Sequence, residues 1–167
     1  MVSAVRAATA RDIAGATPDP ELPVVTIADL GILRAVDEDG DRVTVTITPT
    51  YSGCPAMREI AADIERRLRS AGHADVIIRT QLTPGWSSDW ITADGRRKLL
   101  LAGIAPPSPA PRRTGPVPLT LGVRPVATCP RCGSARTAQV AQFSSTACKA
   151  LYRCSDCAEP FETVKAI

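Results

Sequence analysis

The sequence predicts an α+β protein in two parts: a ββαβ domain, then, past a Pro-rich linker, a small β ribbon built around one metal ion. Three observations predict it: a strictly alternating run at residues 43–48, one amphipathic helical stripe over 55–72, and two CxxC motifs near the C-terminus. The expected division is residues 1–104, a linker over 105–127, and the ribbon over 128–167. At 167 residues the chain has room for one domain that buries its own core and a second too small to do so without a staple.

Taken in order, Ala-rich residues 4–14 predict a short helix, ended by the three prolines of Pro18-Asp19-Pro20-Glu21-Leu22-Pro23. Thr26 to Gly31 has the start and stop residues of a single helical turn. Residues 32–36 and 43–48 then flank Asp37-Glu38-Asp39-Gly40-Asp41. Val43, Val45 and Ile47 alternate with Thr44, Thr46 and Thr48, so this is a β-hairpin with one apolar face. Over 55–72, Met57, Ile60, Ala61, Ile64 and Leu68 share one side of a helix, with charged residues on the other. Pro55 suits its first position and Gly72 the residue past its end. Residues 75–82 read as a third strand. Residues 83–104 predict a turn and one or two short helices packing back on the sheet, with Trp86 and Trp90 in core or edge positions. Residues 105–128 hold seven of the fifteen prolines and predict a semi-rigid spacer.

Charge and composition exclude several functions. The net charge is +3 with no dense basic stripe, so a dedicated nucleic-acid partner is not expected. No run approaches the ~18 apolar residues of a membrane span. Arg6 and Arg11 interrupt the N-terminus before a secretory signal develops. A cytoplasmic location follows as the expectation, and there six cysteines point to metal or redox chemistry rather than to a disulfide framework.

Four of these cysteines form a recognisable set. Cys129-Pro130-Arg131-Cys132 and Cys154-Ser155-Asp156-Cys157 are two knuckles with 21 residues between them. Each wraps its backbone round an ion, and a hairpin joining them completes a tetrahedral four-cysteine site. Residues 137–143 and 151–153 supply that hairpin, and 161–164 a third strand. Zinc is the default occupant, and iron or an iron–sulfur cluster uses the same ligands. With all four positions filled by protein, the site is structural. Cys148, in Ser145-Thr146-Ala147-Cys148-Lys149-Ala150, stands outside both knuckles, either as a buried thiol or as a functional one.

Cys54 lies in Thr48-Pro49-Thr50-Tyr51-Ser52-Gly53-Cys54-Pro55, between strand and helix. At the helix N-cap its sulfur would face the positive end of the dipole, which favours the thiolate. No base neighbours it, and His73 is at the far end of the helix, so a cysteine-nucleophile hydrolase finds no support. Cys54 reads either as a structural thiol or as one that lends itself to a metal or cluster.

The chain resembles a known family. Asp19-Pro20-Glu21-Leu22-Pro23, Asp29-Leu30-Gly31 and Thr48 to Pro55 look like the iron–sulfur assembly domain of SufT-type proteins. Trp86-Ser87-Ser88-Asp89-Trp90-Ile91, Gly95 to Leu99, the ribbon and Ser145 to Cys154 narrow the resemblance to the PaaD (PaaJ) family, a component of the bacterial ring-1,2-phenylacetyl-CoA epoxidase. The resemblance implies a non-catalytic accessory component of a multicomponent monooxygenase in phenylacetate degradation. It implies help in assembling or maintaining an iron–sulfur or iron centre, with the other oxygenase subunits as partners and the iron–sulfur reductase foremost. Cys54 would be the transfer ligand for a transient cluster, and Asp19, Glu21 and Asp29 would support its loop or contact the client. A homodimer joining two Cys54 thiolates is one way to complete the ligand set. The alternatives are a ribbon adaptor that binds protein or nucleic acid without metal transfer, and a thiol enzyme using Cys54 or Cys148.

Overall fold

The computed structural model describes residues 8–108 and 126–165. Residues 4–7 of the expected first helix and most of the expected linker lie outside them. The chain divides into two compact units between Trp86 and Ser87.

In the first unit the predicted ββαβ order is present. A short helix α1 (Ala10–Gly15) begins at Thr9, whose hydroxyl accepts from the Asp12 N–H while the Asp12 carboxylate accepts from the Thr9 N–H. The hairpin strand β1 (Leu33–Asp39) is longer than the sequence suggested, and β2 (Arg42–Ile47) keeps its expected length one residue earlier. Only Gly40 and Asp41 connect them, because Gly40 adopts φ 58° and lets the chain reverse in two residues. Asp37, Glu38 and Asp39 therefore belong to the strand and not to the turn.

β2 buries Val43, Val45 and Ile47, as its alternation requires. Helix α2 (Ala56–Ser70) buries Ile60, Ile64 and Leu68 and crosses to β3 (Asp75–Thr80), which pairs parallel to β2. A parallel partner cannot be reached by a tight turn, so the helix is the crossover the topology demands. Register is marked by Arg42, whose Nε donates to Asp75 Oδ2 across the pair at 2.7 Å. Trp86 is buried, and its Nε1 donates to the Leu30 carbonyl at 2.8 Å.

Thr17 is fully buried, and its hydroxyl is the buried side-chain oxygen without a hydrogen-bond partner among the described residues. Its backbone N–H and carbonyl are both paired, to Ala14 and Ile27. An unmade buried hydroxyl costs about 1–3 kcal/mol. Thr17→Val keeps the branched shape and removes it, so the urea midpoint should rise by an amount equivalent to about 1 kcal/mol. A lowered midpoint would show instead that a buried water partners the hydroxyl.

The second unit begins at Ser87, whereas the sequence placed a boundary at residue 104. A 3-10 turn at Ser88–Trp90 and helix α3 (Ala93–Leu101) belong to this unit and not to the N-terminal sheet. β4 (Ile104–Ala105) then pairs parallel to β7 (Pro160–Val164) in a four-stranded sheet of order β4-β7-β6-β5, with β5 at Thr137–Ala141 and β6 at Lys149–Cys154. The Thr163 hydroxyl donates to the Ala105 carbonyl at 3.0 Å, and Arg96 donates to the Pro107 carbonyl at 2.7 Å. Ser108 Oγ lies 3.5 Å from the Val126 carbonyl, so the two ends of the Pro-rich stretch meet in the same unit. The core comprises Ala105, Ala127, Cys129, Ala150, Tyr152, Cys154 and Phe161, with Tyr152 and Phe161 stacked at 5.9 Å. Among the described residues no helix is long and apolar enough to cross a membrane.

Candidate functional site

The four knuckle cysteines converge. Their sulfurs all lie within 4.8 Å of one another, with Cys129 and Cys157 at 3.7 Å and Cys132 and Cys154 at 3.6 Å. Zn–S bonds of about 2.3 Å in a tetrahedron put sulfurs about 3.8 Å apart, so the set fits a tetrahedral dication. The two knuckles repeat one local geometry. Cys129 N–H donates to the Ser134 carbonyl and Cys154 N–H to the Glu159 carbonyl, each at 2.9 Å. The residue after each second cysteine is left-handed, Gly133 at φ 75° and Ala158 at φ 60°. Glycine adopts that backbone freely, whereas at Ala158 it costs roughly 1 kcal/mol, which the knuckle sustains.

Electrostatics at these sulfurs point the same way. The N–H groups of Cys157 and Asp156 hold the Cys154 thiol down to about 7 against its burial. The Ser134 N–H stabilises the Cys132 thiolate, but the crowded sulfurs of Cys154 and Cys157 outweigh it and push Cys132 up to about 12. Four sulfurs this close cannot all ionise unless a cation lies between them. Cys148 is not part of this group. It is half-buried on the loop between β5 and β6, with Thr146 Oγ1 at 3.1 Å from its sulfur.

Sequence reasoning missed the polar groups that brace this unit. Lys149 is buried and donates to Glu162 Oε2 at 2.8 Å, while Glu162 Oε1 accepts from the hydroxyls of Ser144 and Ser145. Burial would raise the Glu162 carboxyl, but Lys149, Ser144 and Ser145 together hold it down to about 2. A lysine that follows a Ser-Ser-Thr turn, with an acid in an otherwise apolar strand, was the available signal.

Cys54 is placed by a turn that needs Gly53 at φ 82°, a backbone that side-chain-bearing residues rarely adopt. The N-cap of α2 is Pro55, so Cys54 sits one residue outside the expected position. The expected thiolate is also corrected. Burial raises the Cys54 pKa above its ordinary 9.0, the Ala56 N–H and Tyr51 side chain oppose this in part, and the carboxylates of Glu21 and Asp19 add to the rise. The structure thus brings Asp19 and Glu21 into electrostatic reach of Cys54. Asp19 is buried and its Oδ1 accepts from the N–H groups of Glu21 and Leu22 at 2.9 and 2.8 Å, which folds the loop that presents Glu21. Asp29 Oδ2 accepts from the Thr26 N–H, and its own N–H donates to Thr26 Oγ1, a local cap. His73 lies beyond the far end of α2, whose fifteen residues extend about 22 Å.

The fold and these sites together define a class: a small ββαβ unit carried in one chain with a four-cysteine ribbon. Comparison with known families matches residues 16–78 to "Iron-sulfur cluster assembly protein" and residues 113–165 to "PaaD zinc beta ribbon domain". The chain is 43% identical over 150 residues to an Escherichia coli K12 protein provisionally named as the D component of 1,2-phenylacetyl-CoA epoxidase, covering 90% of this chain and 87% of that one. It belongs to that family, the PaaD family. It is also 36% identical over 83 residues to a Porphyromonas gingivalis protein named Fe-S protein maturation auxiliary factor, covering 48% of this chain and 78% of the other. A crystal structure of a domain of unknown function, DUF59, from Bacillus anthracis matches with a TM-score of 0.50 at 26% identity, covering 54% of this chain and 87% of the other.

Proposed function

We propose that the chain is a non-catalytic accessory component of a phenylacetyl-CoA epoxidase system, helping to assemble or maintain an iron–sulfur or iron centre there. In this reading it works in the cytoplasm, its client is the iron–sulfur reductase, and Cys54 is the thiol that handles the centre as cargo. The observation that carries the reading is that the relation to the epoxidase component spans both units, while the maturation-factor relation covers about half of the chain. Cys129, Cys132, Cys154 and Cys157 hold zinc as a structural ion and leave no open coordination position. Burial, with the carboxylates of Glu21 and Asp19 adding to it, keeps the Cys54 thiol protonated until a cationic cargo arrives, so capture releases a proton and quickens as pH rises.

The test is the metal and acid-labile sulfide content of anaerobically purified protein, wild type beside Cys54→Ser. About one zinc per chain in both, with iron and sulfide in the wild type alone, is the expected result. Zinc alone in both would remove cluster carriage on Cys54. In cells carrying Cys54→Ser, the reductase should be purified with less than half of its wild-type cluster content. An unchanged content would remove the client role.

A further inference from the structure

Each of the two closest ligand sulfurs is held by a backbone N–H from a residue whose side chain reaches the other knuckle. Ser134 donates its N–H to Cys132, while Cys154 accepts the N–H of Cys157 and, more weakly, that of Asp156; these sulfurs are 3.6 Å apart. The side chains of Ser134 and Asp156 meet, with Ser134 Oγ donating to Asp156 Oδ2 and Arg136 donating to Asp156 Oδ1. Ser134 Oγ also accepts the Arg136 N–H at 3.0 Å, and the Ser155 N–H donates to the Arg136 carbonyl at 2.8 Å. As isolated surface contacts these would contribute little to stability, since Arg136 is 74% exposed. Their placement gives them a different role.

We infer that Ser134, Arg136 and Asp156 form a positioning link between the knuckles, which fixes the N–H donors on Cys132 and Cys154 and so slows release of the metal ion. The inference rests on the reading that the four cysteines hold zinc. Partners of metal ligands commonly change metal affinity by about 10–100-fold when removed. The link acts on both sulfurs at once through one carboxylate, so its effect concentrates on Asp156.

The experiment follows zinc release from the full chain to a chromogenic chelator, after zinc content has been measured. Asp156→Ala is expected to release zinc roughly tenfold faster, and Asp156→Asn, which keeps a partner for Ser134, by less. Ser134→Ala combined with Asp156→Ala should be no faster than Asp156→Ala alone. With cobalt in place of zinc, the sulfur-to-cobalt charge-transfer band of Asp156→Ala should move to lower energy, which a merely loosened surface would not cause. Release within twofold of wild type in both Asp156 variants would overturn the link, as would single effects that multiply in the double variant. Wild-type protein that takes up no zinc would overturn the four-cysteine reading and the link with it, a failure separable from that of the link alone.

Discussion

Replacing Cys154 with serine is expected to abolish metal retention and unfold the four-stranded sheet while leaving the first unit intact. The reason is the composition of the second core. Among the described residues its central cluster has seven members; two of them are the ligands Cys129 and Cys154, and three are alanines. Beyond the Tyr152–Phe161 stack, the other large apolar side chain that β5, β6 and β7 bury is Val164. Structural zinc in small domains contributes apparent free energies of about 10–16 kcal/mol near neutral pH, comparable to the whole stability of a typical domain. Amide exchange should therefore become unprotected across Lys149–Cys154 and Pro160–Val164 in the variant, and in chelator-treated wild type. Protection along α2 should persist. A metal-free variant with a protected sheet would show that the apolar core suffices.

Glu162→Ala is the second large effect. It leaves the ammonium of Lys149, whose side chain is 6% exposed, without its carboxylate, and it strips the acceptor from Ser144 and Ser145. Removing one partner of a buried pair costs about 3–5 kcal/mol; with the Glu162 side chain 27% exposed, screening reduces this to about 2 kcal/mol. Lys149→Met, which removes the buried charge instead of orphaning it, should cost less. The pH dependence has a definite sign. The folded Glu162 pKa of about 2 lies below the ordinary 4.5, so its stabilisation is present above 4.5 and is lost as pH falls toward 2. The gap between zinc-loaded wild type and Glu162→Ala in urea should thus be full at pH 7 and begin to close below about 4.5. Equal midpoints at pH 7 would remove the pair from the account.

What was legible in the sequence was local. The alternation of Val43, Val45 and Ile47, the stripe of Ile60, Ile64 and Leu68, and the two knuckles each declare themselves within one element. The features missed depend on partners distant in sequence. β4 is two residues long and takes its identity from β7, whose Thr163 is 58 positions after Ala105. Lys149 and Glu162 are ordinary surface residue types until two strands place them together. The Cys54 thiol reads as activated from its helix alone; burial and the carboxylates brought by the Asp19–Glu21 loop reverse that sign.

The parallel pairing of β4 with β7 also sets an order of events during synthesis. The strands of the first sheet and its covering helix all precede Gln81, so that unit can close while the ribosome is still at work. β4 emerges soon after, but its partner begins at Pro160. At roughly 5–20 residues per second, β4 waits on the order of 3–12 s with its edge unsatisfied. The four sulfurs cannot assemble before Cys157 leaves the tunnel either. Metal capture and closure of the second sheet thereby both wait for the segment from Cys154 to Val164.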